Sequence, residues 1–195
     1  MPFDYGRESE VIFPVENELV KFYAQTYTKA GTFLQNPDLY NSPDYMDEGV
    51  INGGDWYVIN GSLQDWSYRK TGCLDLTIEV SNRNPTSEAG VEEVFLYNRD
   101  SLMALIDKAD QGIYGRVTNS SGKPISGVEI ETSWDSISGD VTGDIVIRTD
   151  INGYYNRILF PGIYNLTFTK SGYTTEVVYN ISVTDRTDVD TIELK

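Results

Sequence analysis

The sequence predicts a mixed architecture, with a helix-and-strand half over residues 1–110 and an all-β sandwich of about seven strands over 111–195. Three observations carry that reading. The first half holds two stretches with helical apolar spacing, and between them lies one cleanly alternating run. The second half is a procession of short alternating runs separated by turn dipeptides. At 39% hydrophobic and 23% charged residues the chain has the composition of a folded protein. No apolar run approaches the ~18 residues of a membrane span.

Val15, Leu19, Phe22, Tyr23 and Tyr27 recur at three- and four-residue spacing, which predicts an amphipathic helix over 15–29. Residues 32–62, rich in Asn, Asp, Gly and Pro, read as a long loop. Over Cys73–Ser81 the apolar Leu74, Leu76, Ile78 and Val80 alternate with Asp75, Thr77, Glu79 and Ser81, the pattern of a strand with one apolar face. A second helix is expected from about Ser87 to Ala109. Its stripe of Val91, Val94, Phe95, Leu102, Leu105 and Ile106 is read as core packing, docked on the apolar side of the 73–81 strand. Glu88, Glu92 and Glu93 near its start and Lys108 near its end suit the helix dipole, and Gly112 lies just beyond it.

Strands are expected near 113–118, 127–134, 144–149, 154–159, 163–170, 174–183 and 188–194. Inward sets include Val128/Ile130/Trp134, Tyr164/Leu166/Phe168 and Val177/Tyr179/Ile181/Val183. Ser121-Gly122, Asn152-Gly153, Pro161-Gly162 and Ser171-Gly172 mark the turns between them. Strands this short in so few residues indicate a sandwich.

Charge and composition narrow the chemistry. Asp and Glu number 30 against 15 Lys and Arg, a net charge of −15, so nucleic-acid phosphates and anionic membranes are poor partners by charge alone. Residues 1–110 carry 19 acidic and 8 basic side chains, and 111–195 carry 11 and 7. There is no histidine, which removes Ser-His-Asp triads, His-ligated zinc and His general bases from this chain acting alone. Cys73 is the sole cysteine, so no intramolecular disulfide forms. The start, Met1-Pro2-Phe3-Asp4, lacks the basic leader and apolar run of a signal peptide, leaving a cytosolic chain or one whose targeting segment has been removed.

Two motif sets occur in a recognisable order. Asn52-Gly53-Gly54-Asp55-Trp56-Tyr57, then Gly61-Ser62-Leu63-Gln64-Asp65-Trp66-Ser67-Tyr68, then Cys73–Ser81, resemble the C-terminal part of the catalytic domain of zinc metallocarboxypeptidases of the carboxypeptidase D/E/N type. Gly115-Arg116-Val117, Gly122-Lys123-Pro124-Ile125, Thr149–Tyr154, Pro161-Gly162-Ile163-Tyr164 and Gly172-Tyr173 resemble the transthyretin-like, or carboxypeptidase regulatory-like, domain that follows it. The resemblance implies a partial α/β catalytic domain over 1–110 and a transthyretin-like sandwich over 111–195. It also implies a complete parent that trims C-terminal residues from peptides with zinc and a glutamate base.

By position that glutamate is Glu79, and Tyr57 matches the tyrosine that folds over bound substrate. Gln64, Asp65 and Thr77 match positions lining the pocket for the substrate's last side chain. A pocket of the D/E/N type favours basic residues, but its principal acidic determinant lies in a segment not matched here. The family's zinc ligands, a His-x-x-Glu pair and a later His, and its carboxylate-gripping arginines are also unmatched. The chain starts as though just past the third ligand. No zinc is therefore expected to bind this chain, which alone is expected to be inactive, and the parent is expected to be secreted or extracytoplasmic.

Outside that frame Glu79 reads as an ordinary solvated carboxylate and Tyr57 as a half-buried loop aromatic. The alternative function is a non-enzymatic binding or scaffold module built on the sandwich. Asp135, Asp140 and Asp144 lack a defensible calcium-loop spacing and read as a solvated hairpin, as do Asp185, Asp188 and Asp190. Residues 111–195 are the expected stable unit. Strands lacking upstream partners expose an edge, which favours self-association.

Overall fold

The computed structural model describes residues 14–31, 49–81, 83–136, 139–142 and 145–195. Among these described residues four helices come first: α1 (Pro14–Ala30), α2 (Gly53–Trp56), α3 (Leu63–Thr71) and α4 (Glu88–Asp107). Nine strands follow: β1 (Gly112–Asn119), β2 (Glu129–Ser136), β3 (Gly139–Thr142), β4 (Ile147–Arg148), β5 (Tyr154–Ile158), β6 (Gly162–Thr169), β7 (Glu176–Val183), β8 (Arg186–Asp188) and β9 (Ile192–Leu194). Two long helices and a two-sheet β half fit the predicted mixed class, while the strand expected over 188–194 is divided into β8 and β9.

The chain forms two compact units. The described parts of Val20–Tyr68 and Leu74–Ala109 make one; Asp110–Lys195, together with Arg69–Cys73 and the α1 residues through Leu19, make the other. Division at 110 in the sequence therefore does not follow packing alone.

In the β unit, β1 pairs antiparallel with β5 and parallel with both β8 and β9. The second sheet runs β3-β2-β6-β7, with β4 also on β2, all antiparallel. Ile113, Val117, Val128, Ile130, Leu166, Phe168, Val183 and Leu194 fill the core. Two corrections concern its faces. Tyr179, expected inward, is 66% exposed, because the β6–β7 register shifts between Tyr164 and Leu166 and Asn180 adopts φ 59°. Asn165 Oδ1 accepts the Asn180 N–H at 2.9 Å, so the bulge changes which β7 side chains face inward. Trp134 is half-buried rather than fully inside, with its ring edge-to-face on Phe160 at 4.9 Å.

The turn motifs have direct structural causes. Asp150 Oδ1 accepts the N–H groups of Asn152 and Tyr154, both at 2.8 Å, and closes the turn before β5. Gly153 there has φ +79°, and a side chain would collide with the Val117 carbonyl. Buried Thr149 donates to the Ile125 carbonyl at 2.7 Å and accepts from the Val128 N–H at 2.9 Å. In Pro161-Gly162-Ile163-Tyr164, the buried Tyr164 hydroxyl donates to the Phe160 carbonyl at 2.8 Å.

Among the described residues the largest fully buried side chain is a charged one, Arg157 on β5. Its Nη2 donates to Glu16 Oε1 at 3.1 Å, with both side chains 1% exposed. The Ile145 N–H donates to the same oxygen at 3.3 Å. Glu16 lies in the first turn of α1, so the first turn of a helix supplies the counter-charge to a strand 141 residues away.

Two expectations for the helical unit fail. Cys73–Ser81 pairs with no strand among the described residues and is irregular: Thr77 and Glu79 are exposed, but so is Val80, and Asp75 is half-buried. Alternation marks a strand only where a neighbour takes up the ladder hydrogen bonds. The apolar stripe of α4 is not core either. Val91 (56%), Phe95 (55%) and Ile106 (63%) stand in solvent, while the buried α4 residues are Asn98 and Ser101.

Removing one partner of a buried pair strands the other charge, so Glu16→Ala is expected to destabilise the β unit by about 3–5 kcal/mol. Denaturant unfolding followed at Trp134 measures this, and Glu16→Leu combined with Arg157→Met is expected to recover most of the loss. A cost below about 1 kcal/mol for the single change, the level of a surface pair, would remove the pair from its structural role.

Tyr155 on β5 packs edge-to-face on Phe168 at 5.5 Å and lies over Gly115, whose lack of a side chain makes room for the ring. Its buried hydroxyl has no hydrogen-bond partner among the described residues. Burial pushes its pKa far up from the ordinary 10.0. The folded phenol keeps its proton where the unfolded one ionises, so its contribution is complete below about pH 10 and is lost as pH rises further. Tyr155→Phe is expected to unfold less steeply with rising alkaline pH and to be at least as stable at pH 7. An unchanged alkaline slope would sink this account.

Candidate active site

The predicted site residues sit on three short local structures in the helical unit. Asn52, itself buried, caps α2: its Oδ1 accepts the Gly54 N–H at 2.8 Å. The helix lasts one turn, and the Tyr57 N–H closes it on the Gly53 carbonyl at 2.9 Å. Trp56 and Tyr57 are thereby set side by side at the surface, ring centroids 4.9 Å apart at 67°, with Tyr57 54% exposed.

Ser62 caps α3 in the same manner, its Oγ accepting the Asp65 N–H at 3.2 Å. The first turn of α3 then carries Gln64 and Asp65. Asp65 is buried, which is unusual for a carboxylate and marks it as more than surface charge. Gln64 Nε2 donates to Thr77 Oγ1 at 2.6 Å, tying α3 to the irregular 73–81 segment. Gln64 and Thr77, predicted as parts of one pocket, are therefore in direct contact. Glu79 is exposed two residues further on and makes no hydrogen bond or ion pair among the described residues. Neither Glu79 nor Tyr57 is bonded to the Gln64–Thr77 pair.

Sequence reasoning missed Asn98, which holds the Glu79 segment. Its Nδ2 donates to the Val80 carbonyl at 2.9 Å and to the Val94 carbonyl at 2.7 Å, while its Oδ1 accepts the Tyr27 hydroxyl from α1. One buried amide thus joins α1, α4 and the segment bearing Glu79. The signal was available, since an Asn inside a helix carries two donors and an acceptor that burial obliges it to satisfy. Burial also raises the Tyr27 pKa above its ordinary value.

The arrangement offers a solvated carboxylate, a surface phenol and an amide–hydroxyl pair beside a buried acid. Its donors do not fit a zinc centre. Imidazole is missing from the chain, and among the described residues no three Cys, Asp or Glu side chains are placed to hold a metal ion. Asp135 and Asp140 are register partners in the β2–β3 backbone ladder, and Asp144 lies outside the described residues.

A family model described as zinc carboxypeptidase matches residues 1–101, and one described as carboxypeptidase regulatory-like domain matches 112–195. The carboxypeptidase N catalytic chain of Rattus norvegicus is 31% identical over 164 residues, 84% of this chain and 34% of that protein. Carboxypeptidase D of Homo sapiens is 29% identical over 180 residues, 90% of this chain and 12% of that protein. This chain thus spans about a third or less of the curated relatives it matches. Among solved structures, the 5-hydroxyisourate hydrolase of Klebsiella pneumoniae is 19% identical with a TM-score of 0.32, over 43% of this chain and 84% of that one.

Asn98→Leu leaves the Tyr27 hydroxyl and the Val80 carbonyl without their partner, a loss of about 1–3 kcal/mol locally. Amide exchange by mass spectrometry is expected to show faster exchange over 74–81 and 23–30, with 112–195 unchanged. Unchanged exchange at 74–81 would show that Asn98 does not hold the segment.

Proposed function

The chain belongs to the zinc carboxypeptidase family, and from that premise we propose that it is the C-terminal portion of a metallopeptidase whose complete form removes C-terminal residues from peptides. Residues 1–110 are the end of the catalytic domain and 111–195 its regulatory-like domain. The observation that carries this reading is the succession of the two family matches, 1–101 and then 112–195, in one chain. The open face of α4, with Val91, Phe95 and Ile106 each more than half exposed, supports it, since soluble proteins rarely leave such a stripe uncovered.

Zinc is the cofactor of the family and, when bound in the complete enzyme, supplies Lewis acidity toward water and the scissile carbonyl. None of its ligands is assigned to this chain. The roles assigned here are those of the chain's own side chains. Glu79 takes a proton from the attacking water and returns it to the departing amine, work that its exposure to solvent permits before substrate binds. The surface position of Tyr57 suits a group that closes on the substrate terminus. The Gln64–Thr77 pair and buried Asp65 line the pocket for the last side chain. In this reading the complete protein works outside the cytoplasm.

The 195-residue chain is expected to release no C-terminal residue from a peptide, with or without added zinc; zinc-dependent release would overturn its dependence on further residues. In the complete protein, Glu79→Gln is expected to lower kcat by about 10²–10⁴-fold with KM little changed. Full activity in that variant would take the base role from Glu79.

A further inference from the structure

We propose that the face of the β unit around Tyr114, Arg116 and Tyr154 binds a small multivalent oxyanion, a class that includes phosphates, sulfates and polycarboxylates. A concavity of about 790 Å³ lies there, and Arg69, Lys70, Arg116, Arg148 and Arg186 line it. Those five are a third of the 15 basic residues in a chain of net charge −15, and only Asp150 and Asp188 oppose them in the lining. Gathering like charges is unfavourable for the empty protein, which is why such clusters mark places where an anion completes the balance.

Two of the arginines are held ready. The Arg186 guanidinium lies over the Tyr114 ring at 4.0 Å, and that of Arg116 lies over the Tyr154 ring at 5.1 Å. Tyr154 is the cross-strand partner of Arg116, so the β1–β5 register itself builds the second stack. A guanidinium laid on an aromatic ring loses less freedom when it grips a planar or tetrahedral oxyanion.

Two cations also lack a carboxylate. Arg116 donates through Nε to the Asn152 carbonyl at 3.1 Å, and its terminal amino groups have no acceptor among the described residues. Lys70 has neither an ion pair nor a hydrogen bond among them. Two further cations are paired at half-exposed positions, Arg148 with Glu129 at 2.6 Å and Arg186 with Asp188 in a bidentate contact at 3.0 and 3.2 Å, and a ligand oxygen there adds to or displaces those carboxylates. The acidic remainder of the chain opposes an anion weakly at physiological salt, where charges beyond ~8 Å are largely screened.

This site stands apart from the peptidase reading, and the failure of one leaves the other standing. The test is a ¹⁵N NMR titration of the full 195-residue chain with inorganic pyrophosphate and, separately, citrate, at ionic strength held constant with potassium chloride. Saturable shifts confined to 69–72, 114–116, 148–156 and 186–191 are expected with one probe or both. Arg116→Gln combined with Lys70→Gln is expected to weaken binding at least about tenfold, and exposed Lys70→Gln alone to weaken it measurably. Lys123→Gln, which changes a cation outside the concavity, is expected to leave affinity unchanged. Shifts that still grow linearly at about 10 mM, or equal weakening by Lys123→Gln, overturn the proposal.

Discussion

The buried contact between Glu16 and Arg157 is the constraint to which much of this structure answers. An isolated guanidinium inside a sandwich is not tolerated; it must be paired and hydrogen-bonded or be driven out to water. Here the pairing carboxylate comes from the first turn of α1, and the same oxygen takes the N–H of Ile145. The β unit is therefore not a contiguous run of sequence. Glu16 and the α1 residues through Leu19 belong with the sandwich, where Glu16 meets β5. Within the helical unit, Tyr23 donates to the Lys108 carbonyl and Tyr27 to Asn98.

The features legible in the sequence were those enforced locally. Asp150, Gly153 and Tyr164 each satisfy backbone groups a few residues away, so their motifs carry their own structural reason. Alternation in β1, β2 and β6 was readable because each strand has one face in the core. What was not readable depends on partners distant in sequence. Glu16 sits in the first turn of α1, where an acid suits the helix dipole, and nothing near it in sequence announces Arg157. Cys73–Ser81 has the composition of a strand and pairs with no neighbour among the described residues. The segment 188–194 breaks because β8 pairs with Gly112–Tyr114 whereas β9 pairs with Val117–Asn119, and the chain must step along β1 between them.

The candidate site was legible in a different manner. No local physical signal distinguishes Glu79 from other exposed carboxylates; the role proposed for it rests on its place in a familiar order of motifs. The structure adds what that order lacked, namely contact. Gln64 reaches Thr77, and Asn98 fastens the backbone at Val80, so side chains from two helices hold the segment carrying Glu79, which pairs with no strand among the described residues. Side-chain hydrogen bonds each contribute about 1 kcal/mol, far less than a ladder of strand pairs. The same residues placed in a sheet would be held more rigidly.

Two surfaces of opposite chemistry result. The α4 stripe is apolar, and covering it gains free energy in proportion to area, with little dependence on salt. Such a face favours an obligate neighbour. The basic concavity of the β unit is built from cations within reach of solvent, and any association there weakens as salt rises. A chain with twice as many acids as bases would disperse its cations if solubility alone placed them. Their concentration around one concavity, with Arg116 set on Tyr154 by strand register, has a structural cause that net charge does not supply. The helical unit thus has the surface for a permanent contact and the β unit that for a reversible one, a division of labour between the two halves of the chain.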